Sequence, residues 1–142
     1  MATISVAKTD AEIQRCFPVM VQLRPHLLEA TFLDRVRQQE AEFDYRMVVL
    51  EDGGVVKAVA GFRVSRSLAW GKFLYVDDLV TVADKRGTGL GQQLMEWLLE
   101  EARANACDEF HLDSGVQRFA AHGFYLKNRL HIVAHHFSRV FS

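Results

Sequence analysis

The turn Lys85-Arg86-Gly87-Thr88-Gly89-Leu90-Gly91 is where residue type and spacing first suggest chemistry. An apolar run feeds it and a periodic helix leaves it, so the first helical N–H groups have no partner within the helix. Those donors sit at the positive end of the helix dipole, and glycine lets an anion come close to the backbone. With Lys85 and Arg86 on the same turn, a phosphate-bearing ligand is the natural occupant. Two familiar phosphate loops do not match. A Walker loop needs four residues between its glycines and then Lys-Ser/Thr. A dinucleotide fingerprint needs G-x-G-x-x-G, and here Gly91 falls one place early. Ahead of the turn, Asp77 and Asp78 are adjacent on an expected strand. They should point to opposite faces, with at most one toward a reaction site, although a bulge would exchange them.

The elements that must hold these residues follow from periodicity. Residues 4–7 read as an edge strand, and Thr9 or Asp10 caps a helix from residue 11. Pro18 interrupts that helix, predicting a kink or two short helices, and Pro25 ends it. A second helix covers about 27–41. Residues 46–51, 55–64 and 72–82 read as three antiparallel strands, the first two joined by Asp52-Gly53-Gly54, the clearest hairpin signal in the chain. Ala60 and Gly61 mark a bend in the middle strand. The helix over 91–104 has an apolar stripe of Leu90, Leu94, Trp97 and Leu98. A strand at 109–113, a helix at 116–127 and a closing strand at 130–140 complete the chain. The layout is α+β: a mostly antiparallel sheet with one later parallel crossover, flanked by helices, in a single domain over 1–142.

The bulk numbers restrict the function classes. The 142 residues hold 17 basic and 18 acidic side chains, a net charge of −1. Such a balance draws the chain neither to nucleic acid nor to an anionic membrane. No apolar run is long enough to span a bilayer and no secretory signal is visible. Cys16 and Cys107 make no disulfide framework, so a cytoplasmic protein with reduced thiols is expected. His111, His122, His131, His135 and His136 keep no zinc-like spacing with carboxylates or cysteines, and no metal is expected.

R-x-x-G-x-G, from Arg86 through Gly89 to Gly91, resembles the pyrophosphate-binding motif of the GNAT superfamily of N-acetyltransferases, which use acetyl-coenzyme A. The stretch LDSGVQRFAAHGFYLKNRL is similar to the family's C-terminal half, in which A-x-x-F-Y-x-x-x-G-F follows the fifth strand. Ala121-His122-Gly123-Phe124-Tyr125 carries its first part. The likeness spans nearly the whole chain and implies a pair of splayed parallel strands with the pantetheine arm between them. It places that arm against the backbone of Leu79, Val80 and Thr81, and the pyrophosphate on the N–H groups from Arg86 through Gly91. Ser114 falls where the family often has an asparagine near the pantetheine.

The same resemblance makes Tyr125 the candidate acid toward the coenzyme A sulfur. The family's glycine-phenylalanine pair falls on Arg129-Leu130 here, and a register ending on Gly123-Phe124 would put Ala120 in the tyrosine place. Asp78 sits where a family glutamate often acts as base through water, with Asp77 the alternative. His111 or His122 is a minor candidate for an auxiliary base. Arg24 and His26 lie where the fold builds its acceptor pocket, and a carboxylate on the substrate would suit them. The expected activity is direct transfer of an acetyl group from acetyl-CoA to a primary amine of a small molecule or peptide. A non-catalytic acyl-CoA sensor and a plain nucleotide-binding protein are the competing readings. The acceptor is not legible, and a homodimer is simply the commonest assembly for such domains.

Overall fold

A computed structural model describes residues 2–85 and 88–141, so Arg86 and Gly87 of the glycine turn lie outside the described residues. The chain divides into two compact units, Met1–His111 and Leu112–Ser142. In the first, β1 (Ala2–Ala7) leads to α1 (Asp10–Gln14), α2 (Phe17–Leu23) and α3 (Glu29–Phe43). Then come β2 (Arg46–Asp52), β3 (Val55–Ser67), β4 (Gly71–Thr81), a 3-10 turn at Ala83–Lys85, α4 (Leu90–Ala104) and β5 (Glu109–Leu112). The strands lie in sequence order, β1-β2-β3-β4-β5, in one mixed sheet. Its first three pairings are antiparallel.

Local chemistry accounts for the element ends. Thr9 caps α1 in a reciprocal box: its hydroxyl accepts from the Glu12 N–H at 3.1 Å, and Glu12 accepts from the Thr9 N–H at 2.9 Å. Pro18 lies in the first turn of α2, where its missing N–H costs nothing, so the expected interruption is a break between two short helices. Asp44 ends α3 in the left-handed region, with φ 57°. Gly53 and Gly54 both have positive φ, 61° and 76°, as a tight right-twisting hairpin demands.

The sheet is buried on both faces around β2 and β3. Met47 and Val49 pack with Ile13, Val19, Met20, Phe32 and Val36 from the first three helices. Val48 and Leu50 alternate to the opposite face. There α4 lies against β3 and β4, with Leu94, Met95 and Leu98 wholly buried and Trp97 meeting Phe62 edge-on at 5.8 Å. Burying Leu94 and Leu98 stabilises the fold by about 1.5–3 kcal/mol each. The helix is thus held along its flank, away from its N-terminus.

In the second unit, α5 (Phe119–Lys127) begins three residues later than its expected start at Val116, after a turn closed by the Arg118 N–H on the Gly115 carbonyl. The closing strand expected at 130–140 does not form. Alternation there is broken twice, by Ile132-Val133-Ala134 and by His135-His136, so neither face is consistently apolar. Ile132, Val133, Phe137 and Val140 are all exposed.

Candidate functional site

β4 carries the site. Its register on β3 shifts between Gly61 and Phe62: Gly61 faces Asp78, Phe62 faces Val76, and Asp77 is the extra residue. This bulge changes what simple alternation implies, because Asp77 and Asp78 both line one cavity of about 380 Å³. The cavity lies between α2, α3 and β4, and Arg24, His26, Phe32, Arg35 and Tyr45 also line it.

Each carboxylate has its own cation. Asp78 Oδ1 accepts from Arg24 Nε at 2.9 Å, and Oδ2 accepts from the Tyr45 hydroxyl at 2.8 Å. A second Arg24 nitrogen donates to the Asp77 carbonyl at 2.9 Å. The Asp77 carboxylate is gripped by Arg63 through two bonds of 2.8 and 3.0 Å. Burial raises the Asp77 pKa above the ordinary carboxylate value, against the opposing pull of Arg63. The Tyr45 hydroxyl is raised well above its ordinary value, first by burial and then by the Asp78 charge, so it remains a donor.

Gly61 makes this arrangement possible. A Cβ there would fall 1.7 Å from the Tyr45 hydroxyl oxygen, so only glycine lets the ring cross β3 to reach Asp78. Tyr45 and Arg63 were not among the residues singled out in the sequence. The available signal was Gly61 itself, a glycine inside a strand that marks close approach rather than only a bend. Arg24 and His26 do line the cavity, the former already engaged by Asp78.

The second candidate region is the mouth of α4. Gly89 is its N-cap, with φ 87° and no side-chain cap. Among the described residues nothing lies within 4 Å of the Cβ position there, so the backbone angle requires glycine. The Thr88 hydroxyl donates back to the Lys85 carbonyl, tightening the turn. A helix start with no side-chain cap among the described residues, close to Lys85, suits an anion such as a diphosphate. Leu79, Val80 and Thr81 pair with Ala60, Val59 and Ala58 of β3. β5 has four residues against the eleven of β4, and its approach is tied to the opposite end of that strand, where the Asp108 N–H donates to the Lys72 carbonyl at 2.6 Å.

In the second unit, burial raises the Tyr125 hydroxyl pKa, partly offset by Arg118. The Ser114 hydroxyl oxygen is buried and has no hydrogen-bond partner among the described residues. His122 shares a 2.7 Å hydrogen bond with the Gly115 carbonyl. In the first unit, His111 stacks on Trp70 at 3.5 Å and bonds Glu109 at 2.8 Å. The described residues contain no group of three or more His, Cys, Asp or Glu able to hold a metal. The Cys16 thiol is pushed up to about 12 by burial, and Cys107 is also raised, so neither is an activated nucleophile.

The carboxylate-lined cavity and the start of α4 both lie toward the end of β4. The model of the Acetyltransferase (GNAT) family matches residues 8–129, and the chain belongs to that family. It is an acetyl-CoA-dependent acyltransferase. Over 109 residues it is 32% identical to the uncharacterized N-acetyltransferase YhdJ of Bacillus subtilis (strain 168), covering 77% of each chain. A 52-residue match, 37% of this chain and 34% of the other, is 36% identical to the aminoalkylphosphonate N-acetyltransferase of Salmonella typhimurium (strain LT2). An aminoglycoside N-acetyltransferase solved in complex with CoA superposes with a TM-score of 0.82 at 10% identity, over 99% of this chain and 96% of that one. Among the described residues no helix is long and apolar enough to cross a membrane.

Proposed function

We propose that the chain moves the acetyl group of acetyl-CoA directly onto a primary amine of a small molecule or peptide, in a ternary complex, with 1–142 acting as one N-acetyltransferase domain. The observation that carries this reading is the cavity in which Asp77 and Asp78 meet beside Arg24, next to the strand that runs into the uncapped start of α4. Acetyl-CoA supplies the activated thioester. Its diphosphate is assigned to Lys85, Arg86 and the N–H groups of Gly87, Thr88, Gly89, Leu90 and Gly91. Its pantetheine arm is assigned to the backbone of Leu79, Val80 and Thr81 and to the Ser114 hydroxyl. That the Ser114 oxygen is buried without a partner among the described residues supports a polar ligand there.

An alkylamine with a pKa of about 10.4 must lose a proton at a cost of about 4–5 kcal/mol at neutral pH. Asp78 is assigned as the base that takes it through water, with Asp77 the alternative. A carboxylate keeps acceptor capacity after one bond to each oxygen, so the contacts to Arg24 and Tyr45 orient Asp78 without saturating it. Tyr125 is assigned as the acid that protonates the departing thiolate, and its raised pKa supports a hydroxyl that stays protonated at neutral pH. Two raised thiols favour direct transfer over an acyl-cysteine. Cys16 and Cys107 are both free, which suits a reducing, cytoplasmic location.

A thiol-release screen over amine acceptors tests the reading, run on wild type, Tyr125→Phe and Asp78→Asn. Loss of turnover with retained acetyl-CoA binding is expected for Tyr125→Phe, and a shifted pH–rate profile for Asp78→Asn. Binding of acetyl-CoA without thiol release from any amine would replace the enzyme with a sensor. Failure to bind it at all would remove the assignment. Light scattering tests a homodimer, and a single cooperative unfolding transition tests the one-domain reading.

A further inference from the structure

The cavity on β4 has an uneven charge distribution. Asp78 is paired with Arg24 and Asp77 with Arg63, so the two carboxylates at its floor are each compensated. Arg35 also lines the cavity, and it has no ion-pair partner among the described residues. Helical spacing explains its position. Phe32 and Val36 bury their side chains inward from α3, while Arg35 and Gln39 flank them at exposed positions on the same stretch of helix. His26, also exposed, comes in from the α2–α3 connection. The cavity therefore has an acidic floor, an apolar wall of Met20, Phe32 and Val36, and a rim that is cationic or hydrogen-bond donating.

We infer that the acceptor is an anionic primary amine, with a carboxylate or phosphonate a few bonds from the nitrogen, and that Arg35 is the residue that selects it. The inference rests on the acetyl-transfer reading above and narrows its acceptor class. Arg35 is unlike Arg24 in this respect: Arg24 serves the protein's own Asp78, whereas the forked guanidinium of Arg35 is available to grip an incoming anion. An alkylamine with no anionic group would leave that cation uncompensated. A cationic diamine would be repelled by it.

The test uses the full chain and three probes: β-alanine, 2-aminoethylphosphonate and, as the control that carries the amine but no anionic group, n-propylamine. Binding is measured by calorimetry without acetyl-CoA, and turnover by thiol release with it. In wild type the two anionic amines bind and react better than n-propylamine, and their advantage shrinks as salt rises. Arg35→Gln weakens binding and raises KM for the anionic amines by about two- to fivefold, the modest figure appropriate to an exposed cation. It leaves n-propylamine unchanged, and Arg35→Lys recovers part of the loss. Tighter binding of the phosphonate assigns the rim to a dianion, and tighter binding of β-alanine assigns it to a carboxylate. Equal loss for all three amines in Arg35→Gln, or acetylation of n-propylamine with no preference for the anionic pair, would overturn the inference while leaving acetyl transfer intact. Arg35-dependent binding with no thiol released from any amine would overturn acetyl transfer instead. No binding and no turnover would overturn both.

Discussion

Replacing Gly61 with alanine should be among the most damaging one-methyl changes in this protein. The added Cβ would lie 1.7 Å from the Tyr45 hydroxyl oxygen, 2.3 Å from Cζ and 2.6 Å from Cε1, where side-chain carbons essentially never approach within 3.0 Å. The ring must withdraw by more than an ångström, yet Tyr45 is only 3% exposed and packs in the main core cluster. Overpacking of this kind costs about 1–3 kcal/mol. The 2.8 Å bond from the Tyr45 hydroxyl to Asp78 is lost as well, which adds about 1.5–3 kcal/mol for a hydrogen bond to a charged group. The sum is about 2.5–6 kcal/mol, a large share of the stability of an ordinary domain. Urea unfolding should show a lower midpoint at unchanged slope. Tyr45→Ala alone should cost about 3–5 kcal/mol. In that background Gly61→Ala should add less than about 1 kcal/mol, because the clashing ring is gone and alanine is favoured over glycine in a strand. Additive losses would refute the close-approach argument, as would a Gly61→Ala variant as stable as wild type.

Three further outcomes follow from the same geometry. Gly89→Ala should strain a backbone held at φ 87°, by about 1–2 kcal/mol. It should also weaken acetyl-CoA binding with little effect on KM for the amine; unchanged binding measured by calorimetry would argue against the helix mouth as the diphosphate site. Burial raises the Tyr125 hydroxyl pKa, so the alkaline limb of kcat should lie above the ordinary tyrosine value and be absent from the residual turnover of Tyr125→Phe; a limb that persists there belongs to another group. Asp77 is raised on folding, so its contribution to stability is complete below the ordinary carboxylate range and is lost as pH rises through its higher folded pKa. The stability of wild type relative to Asp77→Asn should therefore fall across that window, and a relative stability that rises with pH would show that the Arg63 pairing outweighs burial.

Local signals carried much of the organisation. Capping by Thr9, the break at Pro18, the double-glycine hairpin and the stripe of α4 depend on neighbours a few residues apart, and all four form as their patterns imply. The closing segment shows the opposite case. Its apolar residues at 130–140 resemble a strand in composition, but broken alternation gives no face to bury, and the segment stays irregular and exposed. The site was only half legible. Lys85 through Gly91 and the Asp77-Asp78 pair stand out as residue types at a chemical spacing, whereas Arg63 and Tyr45 are ordinary residues on other elements that reach these carboxylates across the sheet.

What the amino-acid order determined by itself is most of the elements and the motifs that mark the family, because each depends on residues within a turn or two of chain. What only the tertiary structure decided is how the two aspartates are used. A bulge in β4 brings both to one cavity, a glycine in the neighbouring strand admits Tyr45 to one of them, and arginines 54 and 14 residues away in sequence neutralise each separately. Those partners meet only when the sheet pairs and the helices close over it, so their identity is a property of the packed chain and not of any stretch within it.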